Sequence, residues 1–135
     1  MIVDLEEKTE SGSFEIKGGG KVHLRLLSSA DIRDMKKASL TDVVEYPLLG
    51  EGDKKTYHRF ESQKFDSDVF NKMIWDRGIT GWDGISDKNK NPIPVTAENK
   101  ELLMLRSQDF REAVEKGQAA LKKAEEERAE AEIKN

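Results

Sequence analysis

The chain reads as an α+β protein: a small N-terminal antiparallel hairpin or sheet, several helices packed with it, and a long C-terminal helix. Two short runs near the start alternate apolar and polar residues around a glycine turn, the pattern of a hairpin with one buried face. The downstream segments place their apolar residues at three- and four-residue steps, the pattern of helices. The length of 135 residues suits a single domain.

The elements follow in order. Residues 1–12 are acidic and polar and read as a flexible N-terminal arm. Phe14-Glu15-Ile16 and Val22-His23-Leu24-Arg25-Leu26 flank Gly18-Gly19-Gly20. The buried face of this hairpin would carry Phe14, Ile16, Val22, Leu24 and Leu26. A glycine triplet can also cradle phosphate, but here no lysine-plus-hydroxyl pattern follows it and a strand succeeds it, so a hairpin turn is the better reading. Ser28 to Asp31 forms a capping box that opens a helix with Ile32 and Met35 on its inner face. Residues 39–55 leave two readings open. Val43 to Tyr46 suits a strand, and Leu49 to Lys55 suits a loop. Thr56 to Phe60 alternates again, as a further strand or an extended arm. Phe65 to Arg77 has helical spacing, with Asp66 or Ser67 near its cap and Gly78 at its end. Thr96 caps a short helix through Leu102 and Leu105. Ser107 opens the last helix, whose apolar stripe is Phe110, Ala113, Val114, Gly117 and Leu121. The domain therefore spans 13–121, and residues 122–135 form a charged helical tail rich in helix formers but without a large apolar stripe.

Composition narrows the function classes. Hydrophobic residues make up 36% and charged residues 37%, so the core is modest and the surface highly charged. A net charge of −4, with lysines and arginines mixed among acids, argues against nucleic-acid binding, which needs concentrated positive charge. With no cysteine there are no disulfides, thiolate metal sites or cysteine nucleophiles. No apolar run approaches the roughly 20 residues of a membrane span, and the start lacks the order of a signal peptide. A cytoplasmic protein is expected.

Ile79 to Asn99 is the most distinctive stretch. Trp82 lies between Gly81 and Gly84. Asp87, Asn89 and Asn91 are turn formers, and Pro92 and Pro94 stiffen the chain ahead of Thr96. GWDGI followed by SDKNKNPIPVTAEN resembles a segment of the small tail assembly chaperones of long-tailed bacteriophages and prophages. The residues that carry the likeness are Gly81, Trp82, Gly84, Asp87, Pro92, Pro94, Thr96 and Asn99. Asn91 stands where many relatives have glycine, a mild departure because asparagine also tolerates left-handed angles. KVHLRLLSSADI, from Lys21 to Ile32, is similar to the family's opening. Together these matches cover about a third of the chain, and they are structural rather than catalytic. The resemblance implies a chaperone in the bacterial host cytoplasm. It would bind the helical tape measure protein, help recruit tail tube protein, and act by binding, not catalysis. Another small prophage structural protein, for tail completion or head–tail connection, is the alternative.

Candidate chemistry elsewhere is thin. Asp87, Asn89, Asn91 and Glu98 fall at the spacing of a calcium loop, so a calcium-dependent binding module is a further alternative. Pro92 occupies the position where such a loop needs glycine, and no helix ends directly before Asp87. His23 and His58 would bind metal if their strands met near Glu61 or Asp53, but His23 reads as a solvent-facing strand residue. No metalloprotease, nucleophile-elbow or phosphate-loop motif is present, so no enzyme activity, cofactor or metal is expected. Trp82 is expected to anchor the helical part by contact with the Phe65–Arg77 helix. Phe110, Val114, Leu121, Lys122 and Arg128 are candidate partner contacts on the C-terminal helix. Its second half is expected to project and to serve partner binding or self-association.

Overall fold

The computed structural model describes residues 10–134. β1 (Ser11–Glu15) and β2 (Lys21–Arg25) form the expected hairpin, with positive φ at Gly18, Gly19 and Gly20 in the turn. β1 takes in Ser11 and Gly12, the last two residues of the expected N-terminal arm, and the Leu26 amide adds a hydrogen bond to the Glu10 carbonyl. The rest of that arm, residues 1–9, lies outside the described residues.

α1 (Ser29–Ala38) starts with the full capping box. Ser28 Oγ accepts from the Asp31 amide, and the Asp31 carboxylate accepts from the Ser28 amide. A finger of paired strands follows: β3 (Leu40–Glu45), β4 (Leu48–Leu49), β5 (Thr56–Tyr57) and β6 (Phe60–Phe65). β3 pairs with β6, and β4 pairs with β5, both antiparallel. α2 (Ser67–Gly78) is capped by Asp66 and begins two residues after the sequence pattern suggests, because Phe65 is the last residue of β6.

β7 (Ile79–Asp83) then returns as the third strand of a β1-β2-β7 sheet. The sequence pattern does not announce this strand. A bulge at Thr80 lets Gly81 face His23 while Ile79 faces Leu24, so Ile79 and Trp82 reach the same buried side although they are three residues apart. Strict alternation is lost, and with it the period-two signal. α3 (Ala97–Arg106) and α4 (Gln108–Lys134) complete the chain.

The core lies between the sheet and α4. Val22, Leu24, Ile79 and Trp82 meet Phe110, Ala113, Val114 and Leu121, with Met104 of α3 beside them. Close approach is made possible at Gly117. A Cβ there would sit 2.5 Å from Leu24 Cδ1 and 2.7 Å from Phe14 Cδ2. At the far end of the sheet Gly20 and Gly84 play the same part, since a Cβ on Gly20 would lie 2.9 Å from the Asp83 carbonyl oxygen. α2 and α3 are joined by Lys100, a buried lysine whose Nζ donates to the Asp76 carbonyl at 2.9 Å and to its carboxylate at 3.1 Å. Among the described residues no helix is long and apolar enough to cross a membrane.

Candidate partner-binding surface

The Trp82 segment is a scaffold. Trp82 is 7% exposed, stands edge-on to Phe110 with ring centroids 5.9 Å apart, and donates its indole N–H to the Ile93 carbonyl at 2.9 Å. It is buried as expected, and its edge-on aromatic partner, Phe110, belongs to α4. Sitting in β7 turns the indole toward the helix that covers the sheet.

Asp87 closes the following loop by accepting from the amides of Asn89 and Asn91 through one oxygen, Oδ1. Pro92 bridges back to Ser86, and the Ile93 amide bonds the Ile85 carbonyl. The left-handed residue here is Lys90, at φ 63°, and not Asn91. Thr96 Oγ1 accepts from the Asn99 amide, and Asn99 Nδ2 donates to the Pro94 carbonyl. Gly81, Trp82, Gly84, Asp87, Pro92, Pro94, Thr96 and Asn99 thus fix one turn and the start of α3. These side-chain and backbone contacts give each of the segment's turn and cap residues a structural part.

The accessible apolar residues lie elsewhere. Every residue from Leu48 to Asp68 is exposed. Leu40, Val44, Tyr46, Leu48, Leu49, Tyr57, Phe60 and Phe65 all belong to the finger segment and are each more than 40% exposed. The strand register organises them. Leu40 lies opposite Phe65 at the base, and Leu48 lies opposite Tyr57 near the tip. Between them the pairs Thr41–Lys64 and Asp42–Gln63 are polar, and Gln63 Nε2 donates to Asp42 Oδ1. Further along, Val43–Ser62, Val44–Glu61 and Glu45–Phe60 each set an apolar residue opposite a polar one, so the finger has an apolar base, a mixed shaft and an apolar pair just below its charged turn.

The base is held firmly. Asp66 N–H donates to the Ser39 carbonyl at 2.9 Å, and Ser39, 1% exposed, donates its hydroxyl to the Met35 carbonyl. Phe65 packs against Phe70 of α2 with centroids 5.4 Å apart. Beside it, α1 and the two long strands enclose an open groove of about 730 Å³. Ile32, Leu40 and Phe65 supply its apolar lining, and Arg33, Lys36 and Lys37 its charge.

Asp31 ties this region to the sheet. Its carboxyl is held below the ordinary aspartate range, first by the hydrogen bond from the Ser28 amide, then by the Ser28 hydroxyl and by the positive field of Arg25 and Arg77. Arg25 in turn donates Nε–H to the Arg77 carbonyl, joining the end of β2 to the end of α2.

His23 sits in a polar ladder on the open face of the sheet. Nδ1 is 2.6 Å from Ser13 Oγ, and Nε2 is 2.7 Å from Asp83 Oδ2. The connectivity is that of a serine–histidine–aspartate relay, but Asp83 is 79% exposed, and the groove beside it includes neither Ser13 nor His23. These contacts stabilise neighbouring strands in the way cross-strand polar pairs do. His58 bonds Thr56 Oγ1 in the finger, so the two histidines lie in different parts of the fold. Among the described residues no three His, Asp or Glu side chains group as a metal site.

The candidate contacts on α4 need correction. Phe110, Val114 and Leu121 are 1%, 6% and 5% exposed, packed under the sheet and unavailable to a partner. The stripe that marked them as sticky is the stripe that buries them. Arg128 is half-buried and lies 3.0 Å from the Glu10 carboxylate, at ion-pair distance without hydrogen-bond alignment. Lys122 is exposed. Sequence reasoning passed over the finger tip, although Tyr46-Pro47-Leu48-Leu49 is an apolar run in otherwise polar surroundings.

Compared with family models, curated proteins and solved structures, the chain matches none.

Proposed function

We propose that the chain is a tail assembly chaperone of a long-tailed phage or prophage, which holds the tape measure protein and helps bring tail tube subunits to it. The observation that carries this reading is the finger. It presents Leu48, Leu49 and Tyr57 to solvent on a two-stranded sheet whose outer edges are unpaired. Exposed apolar clusters of this kind mark interaction sites, and isolated two-stranded pairs gain stability when something packs on them. A chaperone that must hold a long helical chain and later release it needs many weak contacts rather than one deep pocket. The Gly81–Asn99 likeness supports the family, and the activity is binding, not catalysis.

The test is co-expression with the tape measure protein encoded in the same genome. Co-elution of the two, with the tape measure protein kept in the soluble fraction, is the expected result. A Leu48→Ser/Leu49→Ser/Tyr57→Ser variant should fold and yet fail to co-elute. Absence of co-elution with the unaltered chain, or undiminished binding by the folded variant, would overturn the reading.

A further inference from the structure

The groove at the finger base and the end of α4 are complementary surfaces. Three cations, Arg33, Lys36 and Lys37, border the apolar lining of the groove, and no carboxylate lines it. The last ten residues of α4, 125–134, carry five glutamates against one arginine and one lysine, and the arginine, Arg128, already faces Glu10. Ile133 is 84% exposed at the end of this acidic helix. On a helix, Glu126, Ala129, Glu130 and Ile133 share one face. Around that face Ala129 and Ile133 lie to one side and Glu126 and Glu130 to the other. The α1 residues of the groove likewise set one apolar side chain, Ile32, beside cations, Arg33 and Lys36.

We infer that the acidic end of α4 of one copy docks into the α1–β3–β6 groove of a second copy. The occupant comes from another molecule because α4 runs unbroken to Lys134, with Arg128 set against Glu10, and so has no hinge by which to fold back. Donor helix and acceptor groove are different surfaces, which makes the contact heterologous. Each copy keeps one free surface of each kind, and association proceeds head to tail into rings or open chains. Because the charges are solvent-exposed, the association weakens with salt.

The inference stands apart from the tape measure reading, because its test uses the purified chain alone. Sedimentation velocity over a dilution series should show reversible, salt-sensitive association of the full chain. Lys36→Glu/Lys37→Glu should weaken it by about tenfold or more, and so should Glu126→Lys/Glu130→Lys. Far-UV circular dichroism and thermal melting should be unchanged in both variants, since all four side chains are exposed. A chain carrying both pairs of changes should associate again, as should an equimolar mixture of the two variants. Truncation after Leu121 should leave a folded monomer. A full-length chain that stays monomeric at every concentration overturns the inference. So does association unaffected by the groove changes, or failure of the combined reversal to restore it.

Discussion

Gly117→Ala probes the seam between α4 and the sheet, where two effects of opposite sign compete. In an isolated helix the change would stabilise by about 0.8–1.0 kcal/mol, because alanine is the better helix former. In this fold the new methyl would lie 2.5 Å from Leu24 Cδ1 and 2.7 and 3.0 Å from Phe14 Cδ2 and Cγ. Carbon atoms in ordinary contact sit about 3.5–4.0 Å apart. Leu24 is 1% exposed and has nowhere to retreat, so α4 must back away by about 1 Å and loosen its contacts at Val114 and Leu121. Overpacking of this kind costs about 1–3 kcal/mol, and the short distances point to the upper part of that range. The net result is a destabilisation of about 1–2 kcal/mol, or a melting temperature lower by roughly 3–10 °C. Thermal melting by circular dichroism measures it. Ala120→Gly, at an exposed position of the same helix, calibrates the propensity term. If Gly117→Ala raises the melting temperature, α4 does not rest on Leu24 and Phe14, and the packing described above is wrong.

Other substitutions test the scaffold. Trp82→Ala should cost about 3–5 kcal/mol in chemical denaturation, since it removes a buried indole together with the donor to Ile93; an unchanged midpoint would contradict its place in the core. Lys90→Gly should stabilise by about 0.5–1 kcal/mol, because relief of left-handed strain outweighs the added entropy of glycine; a lower melting temperature would show that the Lys90 side chain matters more than its backbone. Asp31 has its folded-state pKa below the ordinary aspartate value of 3.8 that it has when unfolded, so its contribution is present above that value and disappears as pH falls through the lower, folded one. Asp31→Asn should therefore flatten the acid limb of the stability profile, and an unchanged limb would remove Asp31 from the account.

Local chemistry with a fixed period was legible in the sequence. The β1–β2 hairpin followed from alternation around Gly18–Gly20, α1 from Ser28 and Asp31, and α4 from its apolar stripe. The parts that escaped are those where tertiary context overrides period. β7 was hidden by the bulge at Thr80. Residues 39–55 of the finger stay open between strand and loop in the sequence because neither face of the finger is buried, so no apolar face marks out the strands. Lys100 gives no signal that it is buried, since its partner is mainly the carbonyl of Asp76, and a carbonyl leaves no trace in sequence. Phe110, Val114 and Leu121 show the same limit from the other side. A stripe tells that a helix packs, but not whether it packs on its own chain or on another.

The most direct measurement of the central claim is amide hydrogen exchange across the finger, with and without a helical fragment of the tape measure protein. The amides at the tip, around Leu48–Leu49 and Thr56–Tyr57, should exchange fast in the free chain and slow on binding, while those of β1, β2 and β7 are already protected and change little. Protection that appears elsewhere with the tip unaffected, or no change at saturating fragment, would contradict the assignment of the finger as the binding surface.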